Sequence, residues 1–187
     1  MLQDSFIEMH YKRDNGAYGV FFSISIILAA AIFIIVLNAV PILLGYNIIY
    51  ITGLISAGLI YLVYRAIRNL NVEYEIEISN DQFDVARIIA GRKREDLAAF
   101  SIKDCEYIGP TDSDRFKEDS DNSEFVLNVT QDRKVVRSSD IWYAFVEQNS
   151  LKYIVAFTFK DEMYSVFRRY NPRKVAPYTV KPVSDNP

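Results

Sequence analysis

Residues 15–64 contain no aspartate, glutamate, lysine, arginine or histidine. Fifty residues without charge cannot form an ordinary water-facing surface, because large apolar patches on soluble monomers are rare and small. The chain is poor in other chemistry as well. Its one cysteine, Cys105, excludes an internal disulfide and fits a reducing compartment, and its place in a strand-like segment reads as a small buried apolar group. The one histidine, His10, has no second histidine or cysteine with zinc-ligand spacing. No glycine-rich phosphate loop, nucleophile elbow or His-Glu-x-x-His pattern occurs. These gaps leave catalysis without its common side-chain constellations, so a non-enzyme with no cofactor and no metal is expected.

The uncharged run is almost wholly aliphatic and aromatic, and Pro41 and Gly45 interrupt it near the middle. Roughly 20 apolar helical residues cross a bilayer's hydrocarbon core, so the run has length for two crossings and a turn. They are expected at 18–37 and 48–64, within a two-helix transmembrane hairpin at 18–67. A cleaved signal peptide fits less well. Its apolar stretch is about 7 to 15 residues and ends at small residues, whereas Ile32, Phe33, Ile34 and Ile35 carry the run past Ala29, Ala30 and Ala31. A buried helix pair in a soluble protein would need a partner covering two helices apolar on every face.

Lys12 and Arg13 precede the first helix, Arg65 and Arg68 follow the second at once, and the connector 38–47 is uncharged. The positive-inside bias then puts both termini in the cytoplasm and the connector outside, in a multi-pass protein of the plasma (inner) membrane. Polar groups at membrane depth are limited to Ser23, Ser25, Thr52 and Ser56, too few for an ion path or proton relay. Gly53 and Ala57 give a small-xxx-small spacing that seats either the first helix or a second copy in a homodimer.

Beyond Arg68 the pattern changes to strict alternation. Val72, Tyr74, Ile76 and Ile78 share one face, and Glu73, Glu75 and Glu77 share the other, which marks a half-buried strand. Ser79, Asn80 and Asp81 form a turn before a second strand at 83–89, with Gly91, Arg92, Lys93 and Arg94 as the next turn. Strands are expected at 100–107, 125–130, 141–147 and 151–159, with a short edge strand near 134–137. The acidic stretch 112–124 is expected to be a solvated, flexible loop. It lacks the glycine and terminal glutamate spacing of a calcium loop. The sequon at Asn128 falls in a cytoplasmic strand and is read as coincidence. Met163, Val166, Phe167 and Tyr170 recur at helical spacing, and Pro172 ends that helix. The strands imply an antiparallel barrel or sandwich, and the single amphipathic helix after them resembles the plan of a pleckstrin-homology (PH) domain, a strongly bent antiparallel barrel that such a helix caps.

Three stretches of the chain resemble a known family: the alternating strand at 73–78 directly after the hairpin, the segment 84–94 with its Arg92, Lys93, Arg94 turn, and the ending Tyr170, Asn171, Pro172, Arg173, Lys174, Val175. The family consists of small membrane proteins of unknown function from clostridia and related Firmicutes, whose soluble part is a bacterial pleckstrin-homology (PH)-like domain. The resemblance covers roughly residues 1–175. It implies an N-terminal tail at 1–17, the hairpin, a PH-like domain at 71–175 and a C-terminal tail at 176–187. It implies an architecture and a location rather than an activity.

Basic residues gather at three places. Arg65 and Arg68 stand at the membrane edge, Arg92, Lys93 and Arg94 in a turn, and Arg168, Arg169, Arg173 and Lys174 near the end. If they share one face, they are candidate contacts to anionic lipid headgroups, each worth up to about 1 kcal/mol near the surface. Otherwise they mark topology, solubilise a turn and cap a helix. A net charge of −3 and the lack of a basic stripe interleaved with aromatics argue against nucleic acid. The expected function is a membrane-anchored PH-like module that senses lipid or recruits a protein partner at the inner leaflet. The alternative is an accessory subunit of a larger membrane complex, an exporter or an envelope-maintenance assembly, joined through the hairpin.

Overall fold

The computed structural model describes residues 6–46 and 48–178. It opens with a strand, β1 (Phe6–Lys12), that runs directly into helix α1 (Gly16–Leu43); α2 (Ile49–Arg68) brings the chain back and β2 (Val72–Ser79) follows. β1 and β2 pair antiparallel from Phe6 opposite Ser79 to Lys12 opposite Glu73. The helical hairpin is therefore an excursion between two neighbouring strands. Residues 6–12, expected within a tail, are an edge strand because they alternate: Met9 and Tyr11 are buried, while Phe6, Glu8 and His10 are exposed. At the other end, the expected tail begins inside the domain. Ala176 is buried and Tyr178 lies against Trp142 and Phe159. Residues 1–5, the connector residue Asn47 and residues 179–187 lie outside the described residues.

α1 and α2 are both long and apolar enough to cross a membrane. At 1.5 Å per residue they extend about 42 and about 30 Å. α1 continues through Pro41 to Leu43, and Gly45, at φ +78°, turns the chain. The helices meet along a narrow seam. Thr52 and Ser56 are buried, and Asn38 Nδ2 donates to Ser56 Oγ at 3.1 Å. Gly53 and Ala57 do not seat α1: a Cβ on Gly53 would meet nothing within 4 Å, and Ala57 is exposed. The buried positions of α2 are polar Thr52 and Ser56, one residue before each small one.

The strands form two four-stranded sheets rather than a closed barrel. The first has the order β1-β2-β3-β4, with β3 (Gln82–Ile89) and β4 (Lys93–Ser101). The second has the order β5-β7-β8-β6: β5 (Cys105–Pro110), β6 (Phe125–Asn128), β7 (Ile141–Gln148) and β8 (Leu151–Thr158). The strand expected at 100–107 is split. A 3-10 turn at Ile102–Asp104, in which Ile102 N donates to Asp81 O, ends β4 and starts β5 on the other sheet. β6 pairs parallel to β8, which leaves it as an edge strand. The expected antiparallel barrel thus fails at both seams. β7 and β8 do form the expected hairpin, with Asn149 and Ser150 both at positive φ, the condition of a type I′ turn.

Two further expectations change. Within the acidic stretch, residues Asp114–Asp121 form helix α3, because Asp119 is anchored rather than solvated. It is only 6% exposed, accepts from Tyr143 Oη at 2.8 Å and meets Arg115 Nε at 3.2 Å. Residues 134–137 are not a strand. Thr111 Oγ1 donates to Val136 O, and the Arg137 side chain reaches the Thr111 and Ser113 carbonyls, so side-chain bonds hold the segment to the end of the second sheet. The closing helix α4 (Asp161–Tyr170) is as expected. Met163, Val166 and Phe167 are buried on the core, where the rings of Phe83, Phe100, Phe157 and Phe167 cluster.

Candidate functional site

Strand register decides which basic groups meet. Val72 of β2 pairs with Ile89 of β3, so the β3–β4 turn (Ala90, Gly91, Arg92) lies beside the point where α2 gives way to β2. Ala90 N donates to Asn71 O at 2.8 Å and fixes that contact. Arg65, Arg68, Arg92 and Lys93 consequently line one cavity of about 580 Å³ with Tyr61 and Tyr64. Two of the three expected clusters are joined here, contributed by a helix end and a strand turn 24 or more residues apart in sequence.

The cations in this cavity differ. Lys93 pairs with Glu95, a carboxylate that it shares with Arg87. Lys93 and Arg87 together keep the Glu95 carboxyl down at about 2. Arg68 donates to the Tyr64 hydroxyl at 3.1 Å. Among the described residues, neither the Arg65 nor the Arg92 guanidinium has a hydrogen-bond or ion-pair partner, and no carboxylate lines the cavity. Arg94 alternates to the other face of β4, where it meets Glu75 at 3.0 Å and Asp96 at 3.6 Å.

The remaining cluster lies elsewhere. The end of α4 reaches the β2–β3 turn: Tyr170 Oη contacts Asn80 Oδ1 at 3.5 Å, and Asn171 Nδ2 donates to Ile102 O and Cys105 O at 2.9 Å each. β2 spans about 23 Å between its two ends at about 3.3 Å per residue. Arg168, Arg169, Arg173 and Lys174 are therefore at the end of the sheet opposite the helices. Arg168 donates to Pro172 O at 2.9 Å, and Lys174 O accepts from Ile108 N at 3.0 Å.

Other cations stand at the base of the hairpin. Arg13 donates to Asn128 O at 3.3 Å and lies 4.7 Å from the centre of the Tyr74 ring; its Nε is buried without a partner. Arg133 lies 3.9 Å over Tyr18. Lys12 and Arg13 carried a readable signal as the first flank, whereas Arg133 comes from a segment whose position depends on where β6 ends. Backbone bonds from Arg13 N to Val72 O and from Asp14 N to Gln131 O, with Asn15 Nδ2 on Leu70 O, tie the hairpin's two ends into both sheets. Among the described residues, no group of three His, Cys, Asp or Glu could hold a metal.

Two four-stranded sheets, closed by one C-terminal amphipathic helix and carrying a cationic rim, define the class: a PH-like domain with an apolar helical hairpin let into its first strand connection. The chain matches the family described as a bacterial PH-like domain (DUF6106) over residues 3–177 and belongs to it. That match takes in β1 and the hairpin as well as the later strands, which agrees with the discontinuous domain seen here. No curated protein and no solved structure matches the chain. PH-like domains are generally binding modules rather than catalysts.

Proposed function

We propose that the protein is a non-enzymatic, membrane-anchored PH-like module, whose two helices cross the inner membrane with both termini cytoplasmic, and which senses lipid or recruits a protein at the inner leaflet. The observation that carries this reading is the way the helices join the sheet. α1 leaves β1, and α2 enters β2, with the hairpin's ends hydrogen-bonded to one another and to the 128–131 segment. A domain held in this way cannot drift from the bilayer on a linker; its Arg65, Arg68, Arg92 end stays at the headgroup level, where each cation is worth about 1 kcal/mol. The opposite end, with Arg168 and Arg173, stands about 23 Å away, beyond a Debye length of about 8 Å, and is the surface we assign to a protein partner.

The membrane reading is tested by alkaline extraction of cell membranes. The full chain is expected to stay in the pellet, and its release into the supernatant would overturn the reading. The second reading, an accessory subunit assembled through the hairpin, is favoured by one observation. The outer faces of both helices are apolar and open, including Gly53 and Ala57. Crosslinking from Ala57→Cys in native membranes distinguishes a second copy from an unrelated subunit by the mass of the product.

A further inference from the structure

The cavity at the end of α2 adjoins a groove on the surface of the hairpin. Tyr64 lines it, and Tyr64 also lines an apolar groove of about 370 Å³ between the helices, walled by Ala31, Ile34, Ile60 and Val63. A polar chamber with unpartnered guanidinium groups and an apolar groove thus adjoin at one side chain, Tyr64. Head and tail of a phospholipid require this order of surfaces, cationic at the level of the phosphate and apolar below it.

We infer that this composite cavity is a binding site for one anionic glycerophospholipid, its phosphate taken by Arg65, Arg68 and Arg92 and one acyl chain laid in the groove between α1 and α2. The inference deepens the lipid-sensing reading and rests on the hairpin being in the membrane. Three features support it. Guanidinium groups match phosphate oxygens with paired N–H donors, which a lysine does not. Arg65 and Arg92 keep their donors unused among the described residues, while the cavity has no carboxylate that a phosphate would have to approach. The three arginines come from two elements that the Ala90–Asn71 hydrogen bond locks together, so the site is formed before a ligand arrives. A headgroup bound there touches both α2 and the β3–β4 turn and couples the anchor to the sheet.

The test uses the purified full chain in neutral detergent micelles, titrated with phosphatidylglycerol or phosphatidylcholine, with bound lipids counted by native mass spectrometry. One phosphatidylglycerol is expected to bind at least tenfold more tightly than phosphatidylcholine. Replacing Arg65 and Arg92 together by glutamine should weaken it about 25-fold, about fivefold for each cation at the surface. The same change at Arg168 and Arg173 should leave affinity within twofold. Both pairs include exposed residues, and the thermal transition is measured to show that each variant stays folded. Ala31→Phe, which fills the groove, should also weaken phosphatidylglycerol. Inorganic phosphate and glycerol phosphate, at concentrations matching the lipid, should not displace it. Absence of a headgroup preference, equal effects of the two arginine pairs, no effect of Ala31→Phe, or displacement by inorganic phosphate would each overturn the inference. A chain that resists alkaline extraction but shows no preference refutes this site alone. A chain that is extracted refutes the membrane reading beneath it.

Discussion

Replacing Phe167 by alanine tests how the helix α4 closes the two sheets. The Phe167 ring is 1% exposed, with its centroid 5.8 Å from Phe157 in an edge contact and 6.3 Å from Phe83 in a stacked one. Phe157 belongs to β8 and Phe83 to β3, so this one side chain joins both sheets where no backbone ladder does. Truncating a buried phenylalanine costs about 3–5 kcal/mol through lost transfer energy and a residual cavity. Two aromatic contacts at about 0.5–1.5 kcal/mol each place this site toward the upper part of that range. Against a domain stability of about 5–15 kcal/mol, the loss is a large fraction. The chain carries its own probe. Its one tryptophan, Trp142, is 1% exposed, stacks on Phe159 at 4.0 Å and meets Tyr164 of α4 edge-on at 6.3 Å. Tryptophan fluorescence during denaturant unfolding of the full chain in micelles therefore follows the β-domain and not the hairpin. A cost below about 1 kcal/mol would refute the claim that α4 is packed across the sheets.

Removing the hairpin should leave a folded soluble domain, provided that β1 is kept. Asn15 and Leu70 are joined by a 2.6 Å hydrogen bond, so a short Asn-Gly turn in place of residues 16–69 should give a β1–β2 hairpin. Circular dichroism should then show a cooperative strand-rich fold, whereas a fragment beginning at Asn71 lacks the partner of β2 and should aggregate; the opposite ranking would contradict the β1 assignment. Stability should also fall at both extremes of pH. Glu95, lowered to about 2 by Lys93 and Arg87, contributes stability above its unfolded value of 4.5 that is lost as pH falls toward 2. Tyr11, raised to about 12 by burial and then by Glu162, contributes stability below its unfolded value of 10 that is lost as pH rises toward 12. Glu95→Gln should flatten the acid limb and Tyr11→Phe the alkaline limb of the melting-temperature profile, and unchanged limbs would contradict the Glu95 ion pairs and the burial of Tyr11.

Elements with a strong period were legible in the sequence. The hairpin follows from fifty uncharged residues, β2 from strict alternation over Val72–Ile78, and α4 from the spacing of Met163, Val166, Phe167 and Tyr170. β1 carried the same alternation, but its seven residues lie ahead of the hairpin, and only its long-range partner β2 shows that it is a strand. β4 begins with the charged run Lys93, Arg94, Glu95, Asp96, which reads as a turn. Its cross-strand ion pairs, Arg87 with Glu95 and Glu75 with Arg94, are tertiary facts. α3 was hidden for a similar reason, since the acidity that suggests solvation includes Asp119, whose partner Tyr143 is 24 residues away. Each basic cluster of the candidate site could be read as a cluster. That Arg92 joins Arg65 and Arg68 while Arg168 lies at the far end of β2 depends on strand register, which no single segment encodes.

The central claim, a hairpin that crosses the membrane and holds the β-domain on the cytoplasmic side, is tested most directly by cysteine accessibility in intact cells. The natural Cys105 is buried, and burial pushes its thiol far up from its ordinary range, so it contributes little background. Tyr46→Cys, in the connector, should react with a membrane-impermeant maleimide in intact cells. Ser113→Cys, before α3, should react only after the membrane is permeabilised. Labelling of Ser113→Cys but not Tyr46→Cys in intact cells would contradict the account.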